Sequence, residues 1–142
     1  LALQGAFSRH ATLLDRVGVT PVEVRTPGQL ADVDALVMPG GESTTMSMLL
    51  EISGLREPLA DRLAGGMPVL GTCAGLILLA RNVADGRSDQ RSVVERVGGE
   101  VEVLARVDGL AVFCRQGPVT VAAFHPELTG DTRLHERFVE AL

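Results

Sequence analysis

Apolar residues form short unbroken runs in the first half of the chain and more broken, alternating runs in the second. Ala35-Leu36-Val37-Met38 and Met67-Pro68-Val69-Leu70 are continuous stretches of strand length, the pattern of parallel strands buried on both faces. Val22 and Val24 alternate with polar neighbours, and Leu1-Ala2-Leu3-Gln4-Gly5 reads as the end of a further strand. Helical spacing lies between these runs. Leu13, Leu14 and Val17 make an apolar stripe, with Ser8 placed to cap its start and Gly18 its end. Helices are expected around residues 45–51 and 57–63, the second with Pro58 in its first turn. An apolar helix, Leu76-Ile77-Leu78-Leu79-Ala80, follows the run ending at Leu70. Strands alternating with helices predict a parallel sheet with right-handed crossovers.

The second half changes character. Strand-like runs at 101–107 and 110–114 flank Asp108-Gly109, a strong hairpin signal, and another strand spans 119–124. Asp131 is placed to cap a last helix in which Leu134, Phe138 and Leu142 recur at helical spacing. Residues 85–91 are charged and polar and read as loop. The expected fold is α/β: a three-layer, mostly parallel sheet flanked by helices, with a C-terminal antiparallel hairpin. Its 142 residues suffice for one domain, 1–142, with a real core. The opening at Leu1 reads as the second half of a strand, so a truncated N-terminus is expected.

Composition narrows the function classes. A hydrophobic fraction of 46% argues against disorder, and a net charge of −5 argues against nucleic acid or an anionic membrane as partner. No apolar run has the length of a membrane span. Two cysteines, Cys73 and Cys114, do not make a disulfide scaffold, and the simplest compartment is a reducing cytoplasm.

The chemistry concentrates in three places. Gly71-Thr72-Cys73-Ala74-Gly75 sets a cysteine at a strand-to-helix corner, with glycines two positions to either side. Such a turn exposes the sulfur to the first amides of the helix, where the dipole favours thiolate. Taken alone, the alternative is a buried structural cysteine in a tight turn. His125 follows the strand at 119–124, at the C-terminal edge where sites assemble in parallel sheets, and Glu127 lies two residues on to orient it. A strand-capping histidine beside a solvated glutamate is the competing reading. His10 and His135 read as solvated helix residues, and Cys114 as core. Pro39-Gly40-Gly41-Glu42-Ser43 follows the strand at 35–38; a peptide N–H there, with that of Ala74, could form an oxyanion hole. Ser43 or Thr44 would also cap the next helix. Oxyanion donors, a thiol and a His/Glu pair suggest acyl transfer from an amide or ester through a thioester.

With these residues the chain resembles the class I, triad-type glutamine amidotransferases, a flavodoxin-like fold. Leu-Ala-Leu-Gln-Gly at 1–5, Pro-Gly-Gly-Glu-Ser-Thr-Thr at 39–45, Gly-Thr-Cys-Ala-Gly at 71–75, Arg-Gln-Gly at 115–117 and Phe-His-Pro-Glu-Leu-Thr at 124–129 are similar to the glutaminase subunits of pyridoxal 5′-phosphate synthases. The resemblance implies Cys73 as nucleophile, His125 as general base and acid, and Glu127 as its orienter. It further implies Gly41, Glu42 and Ser43 as glutamine contacts, Gly41 and Ala74 as oxyanion donors, and Gln4 near a partner interface. The implied partners are L-glutamine and a synthase barrel that uses the released ammonia to build the vitamin B6 cofactor; no metal or cofactor is implied for the subunit itself.

There is one departure. Members of that family carry a longer segment between the helix near Ala84 and the strand at Val101, including a Phe-Ile-Arg strand whose arginine contacts substrate. Residues 85–91 bridge that gap directly, and Arg91 is the candidate remnant of that arginine. An interior deletion would expose sheet edges, so residues missing from the sequence near 85–91 are expected rather than a lost strand. A stand-alone γ-glutamyl hydrolase-type enzyme and a catalytically silent structural subunit are the alternative functions.

Overall fold

The computed structural model describes residues 1–80, 94 and 96–142; the expected loop at 85–91, the gap there and Arg91 lie outside these residues. Three strands form the parallel part of a five-stranded mixed sheet: β1 (Leu36–Met38), β2 (Val69–Thr72) and β5 (Val119–Ala122). The remaining two, β3 (Glu102–Val107) and β4 (Leu110–Gln116), complete the order β1-β2-β5-β4-β3. β2 pairs in parallel with β1 and β5, while β4 is antiparallel to both β5 and β3. The β3–β4 hairpin turns at Asp108 (φ 50°) and Gly109 (φ 80°), the two positive φ values of a type I′ turn.

Strand side chains alternate between two cores. Leu36, Met38 and Val69 pack with Leu30, Met46, Leu50 and Leu59 from α2 (Pro27–Ala31), α3 (Ser43–Ile52) and α4 (Arg56–Ala64). Leu70 and Ala122 face the other way, against Leu134 and Phe138 of α6 (Arg133–Val139). α1 (Phe7–Arg16) shares that second face, and α5 (Ala74–Leu79) follows β2. The three-layer arrangement expected from the alternating runs is therefore present, and it aligns the C-terminal ends of β1, β2 and β5 along one edge.

Several local expectations are corrected. Residues 1–5 and 22–24 are not strands: Ala2 N–H donates to Val24 O (2.8 Å) and the Leu1 amino group to Val37 O (2.6 Å), single bonds rather than a ladder, before the chain bends at Leu3. α1 starts after Ala6, with no side-chain cap, so Ser8 lies inside the helix. α2 was not anticipated. Its signal is a capping box in which Thr26 accepts from Gln29 N–H and the Gln29 side chain from Thr26 N–H, with Pro27 at the first helical position. α3 is capped by Glu42, whose carboxylate accepts from Thr44 N–H (2.9 Å) and Thr45 N–H (2.6 Å), not by Ser43 or Thr44. α6 starts near Asp131 as expected, the carboxylate accepting from Arg133 N–H (3.0 Å).

The β2–α5 corner leaves no room for a side chain at Gly75, where a Cβ would sit 2.1 Å from Met38 O. Gly75→Ala therefore forces β1 and α5 apart, an overpacking cost of about 1–3 kcal/mol. We expect a lower urea midpoint for this variant; an unchanged midpoint would show that the corner can relax.

Candidate active site

Cys73 is the last link between β2 and α5. Its backbone adopts φ 48°, ψ −104°, a region that costs a non-glycine residue about 1–3 kcal/mol and persists only where the surroundings impose it. They do so here by fixing both sides of the turn. Cys73 N–H donates to Ala122 O of β5 (2.9 Å), and Ile77 N–H to Cys73 O (3.2 Å). The cysteine is thus a strained residue at a helix start, the geometry expected of a nucleophile elbow, and it is only partly buried.

His125 follows β5 at the same edge. Its imidazole lies against the loop after β1, since a Cβ built on Gly40 would fall 2.3 Å from His125 Cε1 and 3.4 Å from Cys73 Cβ. Only a glycine at position 40 admits the ring, and the same built Cβ approaches both His125 and Cys73, so the two side chains share one neighbourhood. His125 Nδ1 lies 2.7 Å from Glu127 Oε1. Pro126 starts the 3₁₀ turn Pro126–Leu128 that carries the carboxylate inward, and the Glu127 side chain is fully buried while that of His125 is 37% exposed. A buried carboxylate facing Nδ1 leaves Nε2 for the reacting partner, the orientation a general base requires.

The loop after β1 is held from the N-terminal side. Gly40 O accepts from Ala6 N–H (3.0 Å) and Glu42 N–H donates to Gln4 Oε1 (3.0 Å). In a trans peptide the carbonyl and the next N–H point oppositely, so Gly41 N–H faces away from Ala6. Glu42 is drawn well below the usual carboxylate range, to about 2, first by the Thr45 side chain and then by the Thr44 and Thr45 amides. Its carboxylate is thus committed to α3. Gln4 thus lies against Gly41 and Glu42, while the neighbouring Gly40 lies against Cys73 and His125.

Two residues read from the sequence as solvated are buried here. His10 is 2% and His135 0% exposed. His10 Nδ1 lies 2.9 Å from His135 Nε2, and His10 Nε2 lies 3.2 Å from Thr72 Oγ1 and 3.4 Å from Glu127 Oε2. Helical spacing carried the signal: His10 stands at i, i+3, i+4 and i+7 with Leu13, Leu14 and Val17, on the apolar stripe itself. Burial lowers the pKa of both rings, that of His10 to about 4 against a partial rise from Glu127. Cys114, 2% exposed on β4, sits in the core as expected, and burial raises its thiol pKa. Among the described residues no group of three or more His, Cys, Asp or Glu could hold a metal ion, and no helix is long and apolar enough to cross a membrane.

The chain is similar to proteins of one family. The model of the SNO glutamine amidotransferase family matches residues 1–94. A pyridoxal 5′-phosphate synthase subunit PdxT from Frankia alni is 44% identical, the match covering 99% of this chain and 92% of the relative. One from Herpetosiphon aurantiacus is 40% identical over 98% of this chain and 96% of the relative. The Frankia match runs over 182 positions against a chain of 142 residues, so the relative carries internal residues that this chain lacks. A crystal structure of a glutamine amidotransferase superposes with a TM-score of 0.90 at 35% identity, covering 99% of this chain and 95% of that one.

The buried His10 has a stability consequence. Folded, it stays neutral down to about pH 4; unfolded, it takes up a proton near its ordinary 6.5. The unfolded chain therefore holds more protons between those values, and stability falls as pH drops through that window. The titratable side chains facing the ring are Glu127, His135 and His125. We expect unfolding free energy to decline by on the order of 2–3 kcal/mol from this residue between pH 7 and 4. Urea titrations should give a shallower decline for His10→Leu; an identical slope would remove His10 as the cause.

Proposed function

Because this chain belongs to the SNO glutamine amidotransferase family, we propose that it is the glutaminase subunit of a pyridoxal 5′-phosphate synthase. It hydrolyses L-glutamine to L-glutamate and ammonia and delivers the ammonia to a partner synthase subunit. The observation that carries this reading is the meeting, at one sheet edge, of a strained Cys73 with His125 and its buried partner Glu127.

Each step uses groups at that sheet edge. His125, held through Nδ1 by Glu127, accepts the Cys73 thiol proton on Nε2. The sulfur attacks the side-chain carbonyl carbon of glutamine, and the N–H groups of Gly41 and Ala74 receive the developing oxyanion. His125 returns its proton to the departing nitrogen, which leaves as ammonia, and a cysteinyl thioester remains. Water then attacks the thioester carbonyl, giving up a proton to His125, and the C–S bond breaks to release glutamate and restore the thiol. Gly41, Glu42 and Ser43, in the loop after β1 and at the start of α3, supply contacts to the glutamine. Gln4, bonded to Glu42 N–H, belongs to the N-terminal loop that would face the synthase.

Ammonia release from glutamine, assayed with and without the cognate synthase, tests the reading. Release that appears or rises sharply with the synthase is expected. Equal release in both conditions would favour a stand-alone γ-glutamyl hydrolase-type enzyme, and none in either a silent structural subunit. Cys73→Ala should abolish turnover and leave the unfolding midpoint nearly unchanged, whereas residual turnover at the parental rate would exclude the thioester route. Cys114→Ser should keep kcat within about 2-fold of the parent, as a change away from the reacting groups; a large loss would place Cys114 in the chemistry.

A further inference from the structure

Behind Glu127 lies a second layer of polar side chains with no part in the mechanism above. His10 from α1, Thr72 from β2 and His135 from α6 are each at most 2% exposed. Both rings are neutral near pH 7, because burial lowers their pKa values, so each carries one N–H. The 2.9 Å contact between His10 Nδ1 and His135 Nε2 needs a single proton, and two arrangements supply it.

In the first, His10 carries its proton on Nδ1 and donates to His135. His135 must then be protonated at Nδ1, where no described residue accepts from it, leaving a buried orphan donor. His10 Nε2 would also present a lone pair to the Glu127 carboxylate at 3.4 Å. In the second, His135 donates from Nε2 and His10 carries its proton on Nε2. That N–H is directed to Thr72 Oγ1 (3.2 Å) and lies beside Glu127 Oε2, an oxygen with no other hydrogen-bond partner among the described residues. What remains is a bare acceptor at His135 Nδ1. A buried unsatisfied donor and a lone pair facing a carboxylate both cost more than that, and the second arrangement wins on each count.

We propose that His10 is a positioning residue for the catalytic pair, carrying its proton on Nε2 against Glu127 and Thr72, with His135 holding it in that tautomer. Resting on the glutaminase reading above, this extends the Cys73–His125–Glu127 line by two rings. The carboxylate receives His125 on one oxygen and the His10 N–H dipole beside the other, which keeps it from rotating away from His125. Through Thr72, the same ring abuts the residue that precedes the nucleophile. His10 touches neither substrate nor sulfur and acts only through Glu127 and the elbow.

Two measurements on the full chain test this. Histidine ¹⁵N shifts, which need no activity, should show His10 protonated at Nε2 with Nδ1 bare; protonation at Nδ1 would overturn the proposal. In the complex with the synthase, His10→Leu, which keeps volume and removes the donor, should lower kcat by about 10- to 100-fold, the usual effect of losing an outer hydrogen-bond partner. KM for glutamine should stay within about 2-fold, because no substrate contact is lost. His10→Gln, which restores an N–H near the Nε2 position, should recover most of kcat. Equal losses in both variants would reduce His10 to packing, and an unchanged kcat in His10→Leu would remove it from the site. Should the parental complex release no ammonia, the glutaminase reading fails, while the ¹⁵N result still decides the tautomer.

Discussion

A carboxylate with its side chain out of solvent must be paired, and Glu127 is such a group. Its partners come from several elements on one sheet face. His125 reaches it from the loop after β5, and His10 from α1, which brings Thr72 of β2 and His135 of α6 with it. Four elements distant in sequence thereby converge on one residue, with 125 positions separating the two buried histidines. The convergence orients the imidazole at the sheet edge and anchors α1 and α6 on the same sheet face. An exposed glutamate two residues beyond a histidine would do neither, since water would compete for both oxygens.

The opposite requirement governs Cys73. Its backbone is bent out of the ordinary regions at φ 48°, which on the glutaminase reading gives the thiol access, and the cost is carried by packing on either side. Gly75 lies against Met38 O, and Cys73 N–H is tied to Ala122 O. β1, β2 and β5 thus hold the turn between them, and their parallel alignment is what makes that possible. The same alignment brings Gly40 against both His125 and Cys73, where any side chain would displace the ring. The N-terminal segment closes the arrangement, with Ala6 and Gln4 fixing the loop after β1.

Much of this was legible in the chain itself. Continuous apolar runs marked β1 and β2 because a doubly buried strand has no polar face to alternate, and Asp108-Gly109 marked the hairpin because few residue pairs tolerate two positive φ values. Cys73, His125 and Glu127 stood out because thiol, imidazole and carboxylate at strand ends have a restricted repertoire. The helix α2 was hidden in five residues, too few for a period, although Thr26, Pro27 and Gln29 carried its capping signal. Residues 1–5 and 22–24 have strand-like composition but make only single bonds, because pairing depends on what lies alongside rather than on propensity.

What sequence determined alone was local: which segments can be strands or helices, and which side chains have chemistry to offer at their ends. Tertiary structure decided partnership. It committed the Glu42 carboxylate to capping α3, and it turned His10 and His135 from apparent surface residues into a buried pair behind Glu127. The reason is that hydrogen bonding and burial depend on distances between elements that the order of residues does not contain. A histidine on an apolar stripe is committed to the interior, but whom it meets there is settled only when the helices pack.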